Sequence, residues 1–345
     1  MVGAVLVKRG TIIGKGFHKR PGAPHAEVIA LNGATTDPKG GSLYVNLEPC
    51  CHFGRTPPCV DLILAKGIAR VVIGTKDTNP MVNGKSMRRL RQHGVRVDYG
   101  ILEERCRRLN EVFLKYITTR TPFVILKAAI TLDGRIASSS RTSQWISSEQ
   151  SRKRVHRLRN LVDAIAVGIG TVLQDDPQLT ARGIRGSSNP LRIVMDSMLR
   201  IPLTAQLVQG RKDARTLIAT TPRAPTKKMK ALTERGIEVE VFENDPDGRV
   251  PMDALFNYLG ARGIQSVLVE GGSHIYTSAL QQGLVDKLVL FLAPTLMGGR
   301  HAPGLFEGKG FSSPAESISL EGVEIQRSGR DILVQGYPGK RTIKV

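Results

Sequence analysis

The chain has 345 residues, 50 lysines and arginines against 30 aspartates and glutamates, a formal net charge of +20 and four cysteines. That length predicts two domains, each able to bury a core, while the sparse cysteines, the lack of a secretory signal and the absence of any run near about eighteen apolar residues point away from a secreted scaffold or a membrane span and toward a reducing cytoplasm. The basic excess is of the kind seen in nucleic-acid binders, but it is spread over both halves with few aromatics and no RNA-stacking motif, so a basic surface serving phosphorylated substrates accounts for it and nucleic-acid contact is not supported.

In chain order, residues 2–7 (VGAVLV) and 11–17 (TIIGKGF) read as a hairpin about Arg9-Gly10. The stretch KRPGAPHAEVIAL then gives a Gly-Ala-Pro turn, His25 and Glu27, and an apolar run at 28–31 that marks a helix start. Strands at 43–45 and 71–73 alternate with helices near 26–33, 58–66 and 85–92, and such βαβ alternation implies a helix-covered sheet. A helix over 103–117 closes this unit, and TTRTP at 118–122 reads as a linker. The second half opens with a strand in FVILKAAITLDGRIA and a turn at Asp133-Gly134. Ser147 or Ser148 then caps a helix rich in Arg152, Lys153, Arg154, Arg157 and Arg159. Strands in LRIVMD, TLIATT, SVLVEGG and KLVLFLAPTL predict an α/β unit with a mixed sheet. At Gly271-Gly272 a strand runs straight into a helix, a junction where backbone can approach an anion; a plain tight turn explains the pair equally well. No G-x-G-x-x-G follows a first strand, so an ordinary Rossmann site is not supported.

Three of the four cysteines crowd into LEPCCHFGRTPPC, residues 47–59. A disulfide, a metal site and a chance cluster of core residues compete to explain them. The upstream His25-Ala26-Glu27 decides for metal: H-x-E at a helix start, followed by P-C and a further cysteine, is the zinc-deaminase signature. One imidazole and two thiolates leave zinc an open position, so His25, Cys50 and Cys59 are the expected ligands. Glu27 is expected to carry protons between water, ring nitrogen and leaving amine without touching the metal. The general signature puts two residues between its cysteines, and here there are eight. Cys51 and Cys106 are read as small apolar residues. A core histidine with core thiols, or a purely structural zinc site, which normally has four protein ligands, are the bland alternatives.

HAE, YVNLEPCCHFGRTPPC and DTNPMVNGK together resemble the deaminase half of the bifunctional riboflavin-biosynthesis deaminase/reductase family, in which the longer loop is the norm. LDGRIA, SQWIS, GTVLQDDPQLTAR, MDSMLRIP and VEGG follow in the order of that family's reductase half, itself similar to dihydrofolate reductase. The resemblance covers nearly the whole chain. It implies an α/β protein: a cytidine-deaminase-like α/β/α domain at 1–117, a linker at 118–122 and a dihydrofolate-reductase-like α/β domain at 123–345. In the first domain it makes His52 and Arg55 contacts to a substrate phosphate, and Asp77 and Asn79 contacts to the sugar and pyrimidine. In the second it puts NADPH on Ala129, Trp145, Thr171, Asp175, Ser197 and the Gly272, Ser273, His274, Ile275, Tyr276, Thr277, Ser278 turn. It puts the ribosyl phosphate and sugar on Lys127, Ser143, Arg159, Leu179, Arg182 and Glu270. Arg159 and Arg182 are what phosphate clamping needs, and Ser197 with Arg200 suits a 2′-phosphate. Trp145, the sole tryptophan, could also be a simple packing aromatic.

The implied activity uses one zinc per chain to deaminate 2,5-diamino-6-(5-phosphoribosylamino)pyrimidin-4(3H)-one. NADPH then reduces the ribosyl group, giving 5-amino-6-(5-phosphoribitylamino)uracil. Homo-oligomerisation is expected from the family alone. Asn46 and Ser86 depart from the family's usual Thr and Gly. The sequence also begins inside the family's first strand, which raises the expectation that its start is assigned too late and that a leading helix and a P-N-P-x-V-G loop precede it. The rival readings are a tRNA- or cytidine-type nucleic-acid deaminase and a non-catalytic zinc module that binds nucleic acid.

Overall fold

Alternating burial along GAVLVK and a left-handed Arg9-Gly10 pair (φ 49° and 77°) close the first hairpin, since only such a turn matches the twist of two tightly joined strands. It opens a computed structural model that describes residues 1–20, 22–54, 56–209, 213–308 and 310–339. Two units divide the chain, Met1–Arg120 and Thr121–Val345.

The first unit runs β1 (Gly3–Lys8), β2 (Thr11–Phe17), α1 (Ala26–Asn32), β3 (Ser42–Leu47), α2 (Cys59–Ala65), β4 (Arg70–Thr75), α3 (Lys85–Gln92), β5 (Arg96–Tyr99), α4 (Glu103–Leu109) and α5 (Glu111–Thr119). Its sheet has the order β2-β1-β3-β4-β5, with β1 antiparallel to both neighbours and β3, β4 and β5 parallel. Leu6, Leu43 and Ile73 from the strands meet Leu31, Ile63 and Leu90 from the helices in the core. Helix α1 lies flat on β2 because β2 offers glycine: a Cβ on Gly16 would fall 2.1 Å from the Ala26 carbonyl oxygen, and one on Gly14 2.2 Å from that of Ala30. Cys106 packs over Gly74 in the same manner, the apolar role expected of it. The helix expected over 103–117 is broken at Asn110, whose side chain bonds back to the Cys106 carbonyl at 2.9 Å. Helix α5 continues through Thr118 and Thr119, into the segment expected to be linker.

The second unit runs β6 (Phe123–Thr131), α6 (Glu149–Leu161), β7 (Ala164–Gly168), α7 (Ile169–Asp175), β8 (Leu191–Met195), β9 (Thr216–Thr220), α8 (Thr226–Thr233), β10 (Glu238–Val241), α9 (Met252–Ala261), β11 (Ser266–Val269), α10 (Ser273–Gln281), β12 (Lys287–Ala293), β13 (Leu320–Ser328) and β14 (Asp331–Pro338). The sheet order is β10-β9-β8-β7-β11-β6-β12-β14-β13. It is parallel from β10 to β12, and β14 and β13 add antiparallel edges. The mixed sheet is as expected. Its central strands AIAVG, LRIVM and SVLV are buried along their whole length, as parallel strands covered on both faces must be. Thr171, Ser197 and Glu270 fall beyond the carboxyl ends of β7, β8 and β11, and Ala129 lies just before the end of β6 at Thr131, the side on which open α/β sheets bind ligands. Among the described residues no helix is long and apolar enough to cross a membrane.

The glycine contact gives a stability prediction. Gly16→Ala should destabilise the first unit by about 1–3 kcal/mol through overpacking, seen as a lower melting temperature. An unchanged melt would contradict the packing described.

Candidate active sites

In the first unit, three chain segments bring soft donors together. His25 precedes α1 in an extended conformation (φ −67°, ψ 160°), Cys50 follows the end of β3, and Cys59 opens α2 after Pro58. The His25 Nδ1 lies 3.2 Å from Cys59 Sγ and 3.5 Å from Cys50 Sγ. All three donor atoms fall within 4.8 Å of one another. Bonds of about 2.3 Å to sulfur and 2.0 Å to nitrogen at a tetrahedral centre separate N from S by about 3.5 Å, so this donor set fits zinc. The backbone fastens the arrangement: Cys59 N–H donates to Cys50 Sγ at 3.3 Å and Val60 N–H to the Cys50 carbonyl at 3.2 Å. A hydrogen bond from the Cys59 thiol holds the Cys50 thiol well below its ordinary range, and the same bond, with burial, pushes Cys59 up. Cys50 in turn raises the His25 imidazole. Cys51 stands apart, its Sγ turned to the Met81 carbonyl at 3.7 Å.

Glu27, in the first turn of α1, is 3% exposed. Burial pushes its carboxyl up, and its Oε2 has no hydrogen-bond partner among the described residues. Nearby, burial raises Asp77 to about 6, and the charges of Glu48, His52 and Cys50 reach it. His52 Nδ1 is buried without a hydrogen-bond partner among the described residues. Asp77 and Asn79 also serve their own loop, accepting from the N–H groups of Asn79 at 2.7 Å and Met81 at 3.0 Å. Arg55 lies outside the described residues.

In the second unit a cleft of about 1360 Å³ is lined by every expected second-half residue except Thr277. Thr277 instead accepts the Glu307 N–H at 2.9 Å. Ser143 donates to both Asp175 oxygens, at 3.0 and 3.1 Å, and burial raises that carboxyl. Trp145 is 66% exposed with the Arg152 guanidinium 4.7 Å from its ring centroid, which removes the reading as a packing aromatic. Ser197 accepts the Val250 N–H at 3.0 Å. Leu179 is buried, with φ 50°.

The glycines at the β11–α10 junction have separate reasons. A Cβ on Gly271 would sit 2.7 Å from Thr171 Oγ1, and Gly272 has φ 84°. The hydroxyl of Ser273, first in α10, donates to Glu307 at 2.8 Å. Glu307 lines the cleft from the loop after β12, a stretch with no periodicity to betray it in the sequence.

Arg159 lines the cleft already engaged within the chain. Its Nε and Nη2 donate to the two Glu270 oxygens at 2.7 and 2.8 Å and its Nη1 to the Thr180 carbonyl at 3.2 Å. Both side chains are deeply buried, and a bidentate pair is the arrangement that compensates two buried charges. Burial alone would raise Glu270; Arg159 and Lys127 outweigh it and hold the carboxyl low. Lys127 Nζ lies 3.8 Å from Glu270, and burial lowers its ammonium. Of Arg159 and Arg182, both at the cleft, Arg182 is the exposed one.

Residues 1–75 match the cytidine and deoxycytidylate deaminase zinc-binding region, and residues 122–334 match the RibD C-terminal domain. The riboflavin biosynthesis protein RibD of Aquifex aeolicus is 41% identical over 334 residues, covering 96% of this chain and 90% of that protein. A solved diaminohydroxyphosphoribosylaminopyrimidine deaminase/5-amino-6-(5-phosphoribosylamino)uracil reductase from Thermotoga maritima is 37% identical with a TM-score of 0.84, covering 98% and 92% of the two chains. Acinetobacter baumannii RibD is 34% identical with a TM-score of 0.85 and the same coverage.

The Arg159–Glu270 pair predicts that Glu270→Gln costs the second unit about 3 kcal/mol, because two buried cations lose their counter-charge. Denaturant unfolding followed by the single tryptophan, which lies in this unit, measures it. A loss below about 0.5 kcal/mol, the scale of an exposed pair, would contradict the account.

Proposed function

The chain belongs to the RibD family of bifunctional riboflavin-biosynthesis enzymes, and on that premise we propose that His25, Cys50 and Cys59 hold its zinc and that Glu27 is its deaminase proton carrier. The enzyme hydrolytically deaminates 2,5-diamino-6-(5-phosphoribosylamino)pyrimidin-4(3H)-one and then reduces the ribosyl side chain with NADPH to give 5-amino-6-(5-phosphoribitylamino)uracil. The observation that carries the site reading is the meeting of one imidazole nitrogen and two thiol sulfurs within 4.8 Å, beside a buried carboxyl with an unpartnered oxygen.

Bound zinc supplies a Lewis acid that lets water lose a proton near neutral pH. Glu27 takes that proton and gives it to the ring nitrogen as the oxygen adds to the ring carbon, then carries the oxygen's remaining proton to the amine, so that the ring carbonyl forms, ammonia leaves and the carboxylate is restored. Burial suits Glu27 to this work, because it brings a carboxyl toward the pH at which it both accepts and donates. His52, Arg55, Asp77 and Asn79 are proposed to hold the phosphate, sugar and pyrimidine.

In the second unit NADPH supplies the hydride. The proposed cofactor contacts are Ala129, Trp145, Thr171, Asp175, Ser197 and the residues of the Gly272–Ser278 turn. Lys127, Ser143, Arg159, Leu179, Arg182 and Glu270 are proposed to receive the ribosyl phosphate and sugar, with Arg159 and Glu270 already held together. Lys127 is the buried ammonium of this cleft, and its lowered affinity for its proton supports it as the donor that accompanies hydride transfer to C1. A cytoplasmic location, expected from the cysteine usage, and self-association, expected from the family, belong to the same proposal.

Cys50→Ser and Cys59→Ser should each lose the single equivalent of zinc and with it ammonia release, while Cys51→Ser keeps both. Glu27→Gln should keep zinc and lose ammonia release by about 100-fold or more. Metal analysis and an ammonia assay decide this, and finding Cys51 essential with Cys59 dispensable would overturn the ligand assignment.

A further inference from the structure

Glu48 is 3% exposed, two residues before Cys50, and the mechanism above gives it no task. A buried carboxylate persists only where donors compensate it. Here the donors are backbone N–H groups from both ends of one loop. Oε2 accepts from Asp77 at 3.3 Å and from Gly84 at 2.9 Å, and Oε1 accepts from Gly84 at 3.0 Å and Met87 at 3.4 Å. Its own N–H donates to the Thr75 carbonyl at 2.9 Å.

Further bonds of the loop are local or reach its tip: Lys85 N–H donates to the Val82 carbonyl at 2.7 Å, Lys85 Nζ to the Pro80 carbonyl at 3.0 Å, and the Cys51 thiol to the Met81 carbonyl at 3.7 Å. Helix α3 starts after Gly84, which has φ 86° and no side chain to cap the free N–H groups of the first turn. Glu48 reaches across from the end of β3 to do so, and its negative charge suits a helix start. Within the loop, the Asp77 and Asn79 side chains bond the backbone at Asn79 and Met81, and the Asn79 carbonyl accepts from Val82 N–H at 2.8 Å. These short turns shape its tip but join neither end to β3.

We propose that Glu48 is a positioning residue for deamination: it clamps the 77–87 segment shut and thereby sets Asp77 and Asn79 against the substrate. The inference rests on the deaminase reading for its catalytic consequence. The segment exit that delivers Cys50 to the metal group also fixes, through Glu48, the wall that grips the pyrimidine. Metal binding and substrate binding are thus separate duties of adjacent residues.

The test uses the full-length zinc-loaded chain and its Glu48→Gln and Glu48→Asp variants. Glu48→Gln should raise KM for the diaminopyrimidine about tenfold with kcat within about twofold, the pattern of lost binding rather than lost chemistry. Zinc content, and NADPH oxidation with the already deaminated substrate, should not change. Amide exchange at Gly84 and Met87 should quicken by about tenfold or more. Glu48→Asp keeps the charge on a shorter arm and should fall between the two; should the glutamine variant not fold, the same measurements on the aspartate variant decide. Loss of zinc, a fall in kcat at constant KM, or unchanged KM and exchange would each overturn the clamp. If the unmodified chain released no ammonia, the deaminase reading would fail, while the exchange measurement would still judge the clamp.

Discussion

A helix that springs directly from a strand or turn presents backbone N–H groups with no partner inside the helix, and both units assemble their chemistry at such starts. In the first unit Glu48 answers the start of α3, while the residues at the starts of α1 and α2 contribute His25 and Cys59 to the donor cluster. In the second, Ser148 caps α6, with Asp331 accepting the Ser148 N–H at 2.7 Å, and Ser273 opens α10 beside Glu307. Geometry follows from this: residues at helix starts stand at strand ends, and strand ends are rigid. Catalytic groups placed there hold their positions without a dedicated scaffold.

The second organising cost is buried charge. Each unit keeps ionisable groups out of water and compensates them differently. Lys127, Arg159 and Glu270 do it with a bidentate salt bridge and a second cation. Glu48 does it with backbone dipoles alone. The thiols of Cys50 and Cys59 do it by sharing a hydrogen bond, which leaves Cys50 readily ionised, a state a cation would extend to both sulfurs. Glu27 keeps one oxygen without a partner among the described residues, and burial raises its carboxyl toward the range in which it can both take and give a proton. The placement of weakly compensated groups therefore points to the chemistry, and that of strongly compensated ones to the frame.

Much of this was readable beforehand, for identifiable reasons. His25, Glu27, Cys50 and Cys59 stood out because few residue types ligate zinc and their neighbours set the local turn. The hairpin at Arg9-Gly10 and the buried strands of the second unit announced themselves by turn chemistry and continuous apolar runs. Strand β5 did not, since RVDY is short and only half buried. Helices α4 and α5 read as one because the break at Asn110 depends on a side-chain bond rather than on Gly or Pro. The Arg159–Glu270 pair was not readable, because a sequence reports that an arginine exists, not which carboxylate its fork engages. Glu48 and Glu307 escaped because their roles come from contacts 29 to 39 residues and 34 residues away.

The central claim is that two chemistries run on two separate sets of residues in one chain, the first feeding the second. The most direct measurement compares NADPH oxidation at 340 nm by the unmodified chain and by Glu27→Gln, each given the diaminopyrimidine or its deaminated product. The account predicts that Glu27→Gln oxidises NADPH normally with the deaminated compound and scarcely at all with the diamino compound. Equal oxidation by both proteins with the diamino compound, or loss of oxidation with the deaminated one, would contradict it.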